Sequence, residues 1–436
     1  MAFRLPKKSK GILNAQWAMR ALSLGLLVIS LSAVSGCWGK RELEDRAFVT
    51  ILGIDHASDG GILASALLSL PAGRGGGNMG GGTQSDGSLL ISTAGRNIEE
   101  ALAEMEYLSS RELNTVYMAF VILGEEFART DVGPVVDVFS RHLHYKPDTL
   151  LGVCKGRAYD FLRDFKPQQE THPSDYLWKL VDTAHSGLGT CPMTTMHDLK
   201  VGYVTPAEDP WAPYFELVPY APAEAAALGN RGGDGGEGAK EQEGQQGNGK
   251  TARLAGTALF AKSGEAYSMV GTLDPWESMA VLLMRGEVER GLIHFAYPGA
   301  PETQATLVLH HTDRHLDLEV LPEAAIVKYH IAVTSSLSEV PAGPEPLPET
   351  TQEFRRAVAE TAEQQLKFLL ERTFGKLTSL GCDAIALGPH AQVSFKTFPE
   401  WEAYDWHNRF HHCQGTFTVK VHVFTSGFTV VRPVPK

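Results

Sequence analysis

The chain has 436 residues, with 39 basic against 51 acidic side chains and a formal net charge of −12. A balance this acidic disfavours nonspecific nucleic-acid binding and attraction to anionic lipid through a polybasic patch. The length predicts two or three domains, each large enough to bury its own core.

The first 36 residues read as an export signal. Arg4, Lys7, Lys8, Lys10 and Arg20 form a positive n-region, and Ala21 to Val34 carries no charge. That run is shorter than the roughly 20 apolar residues of a membrane-spanning helix and ends in small residues, so cleavage is expected rather than spanning. Val34-Ser35-Gly36-Cys37 fits a lipobox: small residues leave room for the processing enzymes, and the Cys37 thiolate is the nucleophile that takes up a diacylglyceryl chain. Each buried methylene of an acyl chain contributes about 0.8 kcal/mol, so two or three long chains hold a protein on a bilayer. The competing reading is an ordinary secretory signal with a chance cysteine. Trp38 follows directly, and its ring, apolar with one polar edge, suits the headgroup interface unless this stretch is a plain tether. Cleavage removes five basic and no acidic residues, leaving 34 against 51, a charge of −17.

Residues 37–165 predict an α/β domain. Ala47 to Asp55, Gly61 to Leu70 and Ser88 to Gly95 have strand patterns, Asn97 to Ser109 a helical one. Thr115 to Gly124 is expected to be an apolar strand, Glu125 to Leu143 a helix and Thr149 to Gly156 a further strand. A glycine-rich stretch between the second and third strands is expected to be a flexible loop. Residues 166–299 predict a middle domain: a helix around Asp175 to Ala184, a polar segment from Met196 to Val201, a strand from Tyr214 to Tyr220, a hairpin from Ala252 to Asp274 and a helix start from Pro275. Its insertion 222–251 is too rich in glycine and charge to offset the entropy of ordering. Residues 300–436 predict a last α/β domain with strands at Thr306 to His311, Leu316 to Leu321 and Ala325 to Ser335. Thr350 and Glu353 have capping-box spacing, and Phe354, Val358, Ala362, Leu366, Leu370 and Leu377 keep helical spacing through about 351–380. Thr416 to Val430 alternates like a returning strand pair.

Several residue sets match a chemical pattern without its context. Gly244 to Thr251 satisfies the P-loop spacing, but no apolar strand precedes it and no helix follows. Gly75 to Gly80 satisfies GxGxxG only as a glycine run, with no helix N-terminus for a pyrophosphate. Neither predicts a nucleotide site. His407, His411 and Cys413 are zinc-ligand types but lack a fourth partner at fixed spacing, so packed or exposed histidines are expected and no metal; His310, His311 and His315 stand the same way. Cys154, Cys191, Cys382 and Cys413 allow three disulfide pairings, Cys154 with Cys191 and Cys382 with Cys413 being the simplest, or four buried thiols. No catalytic triad order, HExxH or nucleophile elbow is present, and no cofactor is expected.

Other pieces carry a resemblance. Gly36-Cys37-Trp38 with Arg41-Glu42-Leu43, Gly53-Ile54-Asp55, Ser92 to Leu102 (STAGRNIEEAL), Phe120 to Ala128 (FVILGEEFA), Gly256 to Phe260 (GTALF) and Leu380 to Gly388 (LGCDAIALG), followed by Trp401 and Trp406, occur in order. Over nearly its whole length the chain resembles the Ger(x)C lipoproteins, the C subunits of bacterial spore germinant receptors. Gly39, where family members often carry Asp, and the two glycine-rich insertions depart from the pattern.

The resemblance implies an α+β (mixed α/β) fold of three consecutive domains, each a mixed or antiparallel sheet with packed helices, behind the cleaved signal 1–36. It implies a non-enzymatic subunit anchored through Cys37 on the outer face of the spore inner membrane, assembled with two integral membrane subunits. No catalytic residue is carried over. The competing classes are a lipoprotein that itself captures a small nutrient, which a concave apolar pocket at a domain junction would favour, and a wall or lipid hydrolase.

Overall fold

The computed structural model describes residues 17, 19–26, 45–69, 88–141, 145–167, 169–205, 208–219, 249–264, 266–297, 300–339 and 352–424. Two compact units divide the chain, residues 1–46 and 47–436. In the first, residues 19–26 are helical. The second is built on two sheets flanked by helices, an α+β architecture.

The first sheet begins with an antiparallel meander, β1 (Arg46–His56), β2 (Ile62–Ser69) and β3 (Ser88–Gly95). α1 (Ile98–Leu108) brings the chain back to the end where β1 starts, and β4 (Glu112–Asn114) pairs there with β1. β5 (Phe120–Gly124) lies parallel to β1; α2 (Glu125–Ala128) and α3 (Gly133–Arg141) cross over to β6 (Leu150–Cys154), parallel to β5. α4 (Ala158–Asp164), α5 (Pro173–Asp182) and α6 (Met196–Val204) lead to β7 (Trp211–Pro219), parallel to β6, and β8 (Lys250–Ser263) and β9 (Ala266–Leu273) add antiparallel. Every residue of β5 and β6 is buried, as expected of parallel strands covered on both faces. Met105, Val135 and Leu199 cover one face from α1, α3 and α6; Phe161, Leu162 and Leu177 cover the other from α4 and α5.

This sheet runs across the domain boundary expected near residue 165. Val153 pairs with Tyr214 and Cys154 with Phe215, because β6 would otherwise leave an apolar edge with unpaired N–H and C=O groups.

α7 (Pro275–Arg285) follows, buried from Glu277 to Met284, a helix apolar all round and therefore enclosed. Asp274 starts it by accepting from Trp276 N and Glu277 N, both at 2.8 Å, and Gly286, at φ 73°, ends it. The second sheet comprises β10 (Gly291–Tyr297), β11 (Ala300–Val320), β12 (Ala325–Glu339) and β13 (Gln414–Phe424). Its first three strands are antiparallel; β13 is parallel to β12, so the chain between them must cross the sheet. That crossover is α8 (Gln352–Leu380), then the short α9 (Leu387–Gln392), α10 (Phe398–Tyr404) and α11 (Trp406–Phe410). α8 buries Phe354, Val358, Ala362, Leu366, Leu370 and Leu377, the periodicity legible in the sequence. One core joins α7, α8 and the second sheet with Trp211, Leu259 and Leu273 of the first.

Four predicted elements differ. The strand expected over Thr115 to Gly124 is confined to β5, because Asn114 Oδ1 accepts from Val116 N at 3.0 Å and turns the chain first. The helix expected over Glu125 to Leu143 breaks after Ala128, where Thr130 Oγ1 donates back to the Phe127 carbonyl and Asp131 accepts from Gly133 N. Met196 to Val201 is helical, started by a Thr195–Asp198 capping box. The two strands expected between Thr306 and Leu321 are one, β11, with a register shift between Leu309 and His311.

Candidate functional site

Cys37 and Trp38 lie outside the described residues. The motif residues that are described gather at two buried nodes.

The first node is Asp55, at the end of β1. Its carboxylate accepts from Ala158 N and Tyr159 N, both at 2.8 Å, and so receives the first N–H groups of α4 from a residue 103 positions away. Burial pushes its pKa above the usual carboxylate range, against the pull of those two donors. Gly124 is needed alongside, because a Cβ there would strike Asp55 Oδ1, and Gly53 packs under Leu162 and Ala158. The neighbouring STAGRNIEEAL stretch caps α1: Asn97 Oδ1 accepts from Glu100 N at 2.9 Å, and Glu100 Oε2 accepts from Arg96 N at 2.7 Å.

The second node joins the two sheets. Asp383, fully buried in the LGCDAIALG loop, accepts from Leu387 N (2.9 Å), Gly388 N (2.7 Å) and Trp406 Nε1 (2.8 Å). Its own N–H donates to Asp209 Oδ2 at 2.7 Å, and its carbonyl accepts from Asp209 N at 3.2 Å. Asp209 also accepts from the Tyr267 hydroxyl on β9, and His407 Nδ1 lies 3.5 Å from it. Burial pushes Asp383 up to about 8, against three donors that favour its charge. Burial works against a charged His407, but the Asp209 hydrogen bond and charge leave its pKa raised. Burial and Asp209 drive the Tyr267 phenol far up. Gly381, at φ 64°, admits the His411 ring where a Cβ would stand, and Gly256, at φ 137°, passes against the Leu273 carbonyl.

The histidines therefore serve separate partners: His407 faces Asp209, His411 Nδ1 faces the Thr378 carbonyl at 2.9 Å, and Cys413 donates to the Arg409 carbonyl. His310 meets Ser336 Oγ at 2.7 Å and His315 meets Asp317. No group of three potential metal ligands forms among the described residues. All four described cysteines are free, buried thiols, so of the two readings of the cysteines the structure has the four thiols rather than the disulfides; burial pushes Cys413 up to about 12 and raises Cys154, Cys191 and Cys382 as well. Of the P-loop-like stretch only residues 249–251 are described. Lys250 starts β8 and pairs with Asp164 at 3.0 Å, and Thr251 bonds Tyr176. The glycine run 75–80 lies outside the described residues.

Clefts open on the surface among the described residues. One, of about 250 Å³, is lined by His185, Asp198, Glu208, Asp209 and Arg285. Its charged groups are engaged already: Asp198 caps α6, Arg285 Nε holds Glu287 at 2.8 Å and its Nη1 the Ala384 carbonyl, and His185 Nδ1 faces the Cys191 carbonyl. Another, of about 560 Å³, lies between α7, β10, β11 and α8, with Trp276, Ile293, Leu366 and Leu369 as apolar walls. Asp209 was not legible as a partner of Asp383; Asp209-Pro210-Trp211 before a strand is its only local signal.

Residues 39–217 match the family described as spore germination protein N-terminal domain, and residues 255–427 match spore germination B3/GerAC like, C-terminal. The chain belongs to the Ger(x)C spore germination family. Its two matches leave 218–254 between them, the stretch that holds the glycine-rich insertion. This Ger(x)C chain is 34% identical over 167 residues to YfkR of Bacillus subtilis strain 168, named for spore germination, covering 37% of this chain and 42% of that protein. It is 27% identical over 177 residues to spore germination protein KC of the same organism, covering 40% and 43%. The aligned stretches thus span under half the length of these relatives. The crystal structure of the GerBC protein superposes with a TM-score of 0.50 at 13% identity, over 85% of this chain and 96% of that one, a likeness of fold.

Proposed function

We propose that this Ger(x)C protein is the non-enzymatic, lipid-anchored subunit of a spore germinant receptor, held by acylated Cys37 on the outer face of the spore inner membrane. It works there through contacts with two integral membrane subunits. The observation that carries this reading is the pair of family matches that begins at residue 39, two residues after the lipobox cysteine. No helix among the described residues is long and apolar enough to cross a membrane, which fits attachment by acyl chains. The engaged state of the charged groups in the 250 Å³ cleft supports a role without catalysis.

The test is germination of spores carrying Cys37→Ala, with recovery of the membrane subunits by pull-down in the same strain. Loss of both germinant response and complex recovery is expected. Retention of both would make lipidation dispensable, and failure to recover partners with the native chain would replace the receptor reading.

The second reading, direct capture of a small nutrient, rests on the 560 Å³ cleft, whose size suits a small ligand. The cleft lies within the C-terminal half rather than between sheets, which favours the receptor-subunit reading. Calorimetric titration of the chain with germinant amino acids, sugars and nucleosides separates the two: heat that disappears in Leu369→Trp, a change at a partly exposed cleft wall, would favour capture.

A further inference from the structure

The strands β1, β3, β5 and β6 run in one direction, so their first residues gather at one end of the first sheet. α1 returns to that end, and the three residues there with the most exposed apolar surface are Tyr107 (83% exposed), Leu108 (66%) and Tyr117 (63%). Tyr117 is held in place rather than trailing in solvent: Phe48 meets it edge-on at 5.5 Å, and the Lys146 ammonium lies 5.2 Å from its ring centroid. Tyrosine, leucine and a snorkelling lysine are the residue types that settle at the boundary between headgroups and acyl chains.

The chain enters the first sheet at this end, through Arg46. Cys37 is nine residues before Arg46, so the fully extended connection reaches about 30 Å. The opposite end of β1, ten residues further on, is about 33 Å from Arg46. The tether therefore enters at the end with Tyr107, Leu108 and Tyr117, whereas laying the far end on the bilayer would require it to run back along β1 almost fully extended.

We propose that Tyr107, Leu108 and Tyr117, with Lys146, form a lipid-facing surface that rests in the headgroup region of the bilayer bearing the Cys37 anchor. The inference rests on the anchoring reading above and gives it an orientation: β1 stands away from the membrane, with its His56 end outermost.

The test uses the lipidated mature chain, purified from a host that acylates lipoproteins and reconstituted in phosphatidylcholine vesicles. Tyr107→Cys, Tyr117→Cys and, at the opposite end, Asp59→Cys each receive a polarity-sensitive fluorophore; the four native thiols are buried and do not compete. Labels at 107 and 117 are expected to shift to the blue on vesicles and to lose most of their emission to a headgroup-level nitroxide lipid, while the label at 59 stays aqueous. A chain that floats with the vesicles but keeps aqueous labels at 107 and 117 overturns the surface and leaves the anchor standing. A chain that lacks the acyl mass or fails to float overturns both. A shift that appears only after the membrane subunits are added assigns the surface to protein and overturns the lipid inference.

Discussion

Asp55 and Asp383 show how a single buried carboxylate holds distant parts of the chain. Asp55→Ala would leave the Ala158 and Tyr159 N–H groups without their acceptor, and a loss of about 1–2 kcal/mol is expected in urea unfolding. Asp383 also sets a pH dependence. Its folded pKa, about 8, lies above an unfolded value near 3.9, so the folded state keeps a proton that the unfolded state releases. Its contribution to stability is fully present below about pH 4 and is lost as the pH rises through about 8. His407, also raised, contributes below about pH 6.5 and loses that contribution as the pH rises through its higher folded value. The melting temperature should therefore fall between pH 5 and pH 9, and Asp383→Asn should flatten that fall. A native protein whose melting temperature rises over this range would contradict the protonation assigned to the second node.

At the scale of elements, α7 couples the two sheets because it buries side chains on every face, so its ends and its packing are both exposed to test. Leu282→Ala removes a fully buried side chain from the shared core and is expected to cost about 2–5 kcal/mol in thermal or urea unfolding. Gly256→Ala, at φ 137° and against the Leu273 carbonyl, should cost more than about 1 kcal/mol although it adds only a methyl group. Substitution of Phe368, exposed on α8, should stay within about 0.5 kcal/mol. The packing requires both Leu282→Ala and Gly256→Ala to cost more than substitution of Phe368.

At the scale of the molecule, the first sheet continues through the β7–β8 hairpin, whose ends pair at Pro219 and Lys250 although thirty residues separate them. Shortening that connection to about five residues should leave the fold intact and stabilise it by about 1–2 kcal/mol, since a shorter loop costs less entropy to close. Measured urea midpoints that fall instead would mean that the insertion contributes contacts of its own.

Much of this was legible in the residue order. Periodicity alone located β1, β3, β7 and α8 closely, and glycine and charge marked the insertion, because those signals are local. The lipobox proposed at Cys37 likewise rests on local spacing alone and is read without any fold. The sequence could not say that Asp383 would meet Asp209, 174 residues away, that β6 would accept β7 and so run one sheet through the middle of the chain, or that His407, His411 and Cys413 would turn to different partners. Pairing across such distances is decided by which apolar faces must be covered and which buried N–H and C=O groups need partners, and only the tertiary structure satisfies both at once.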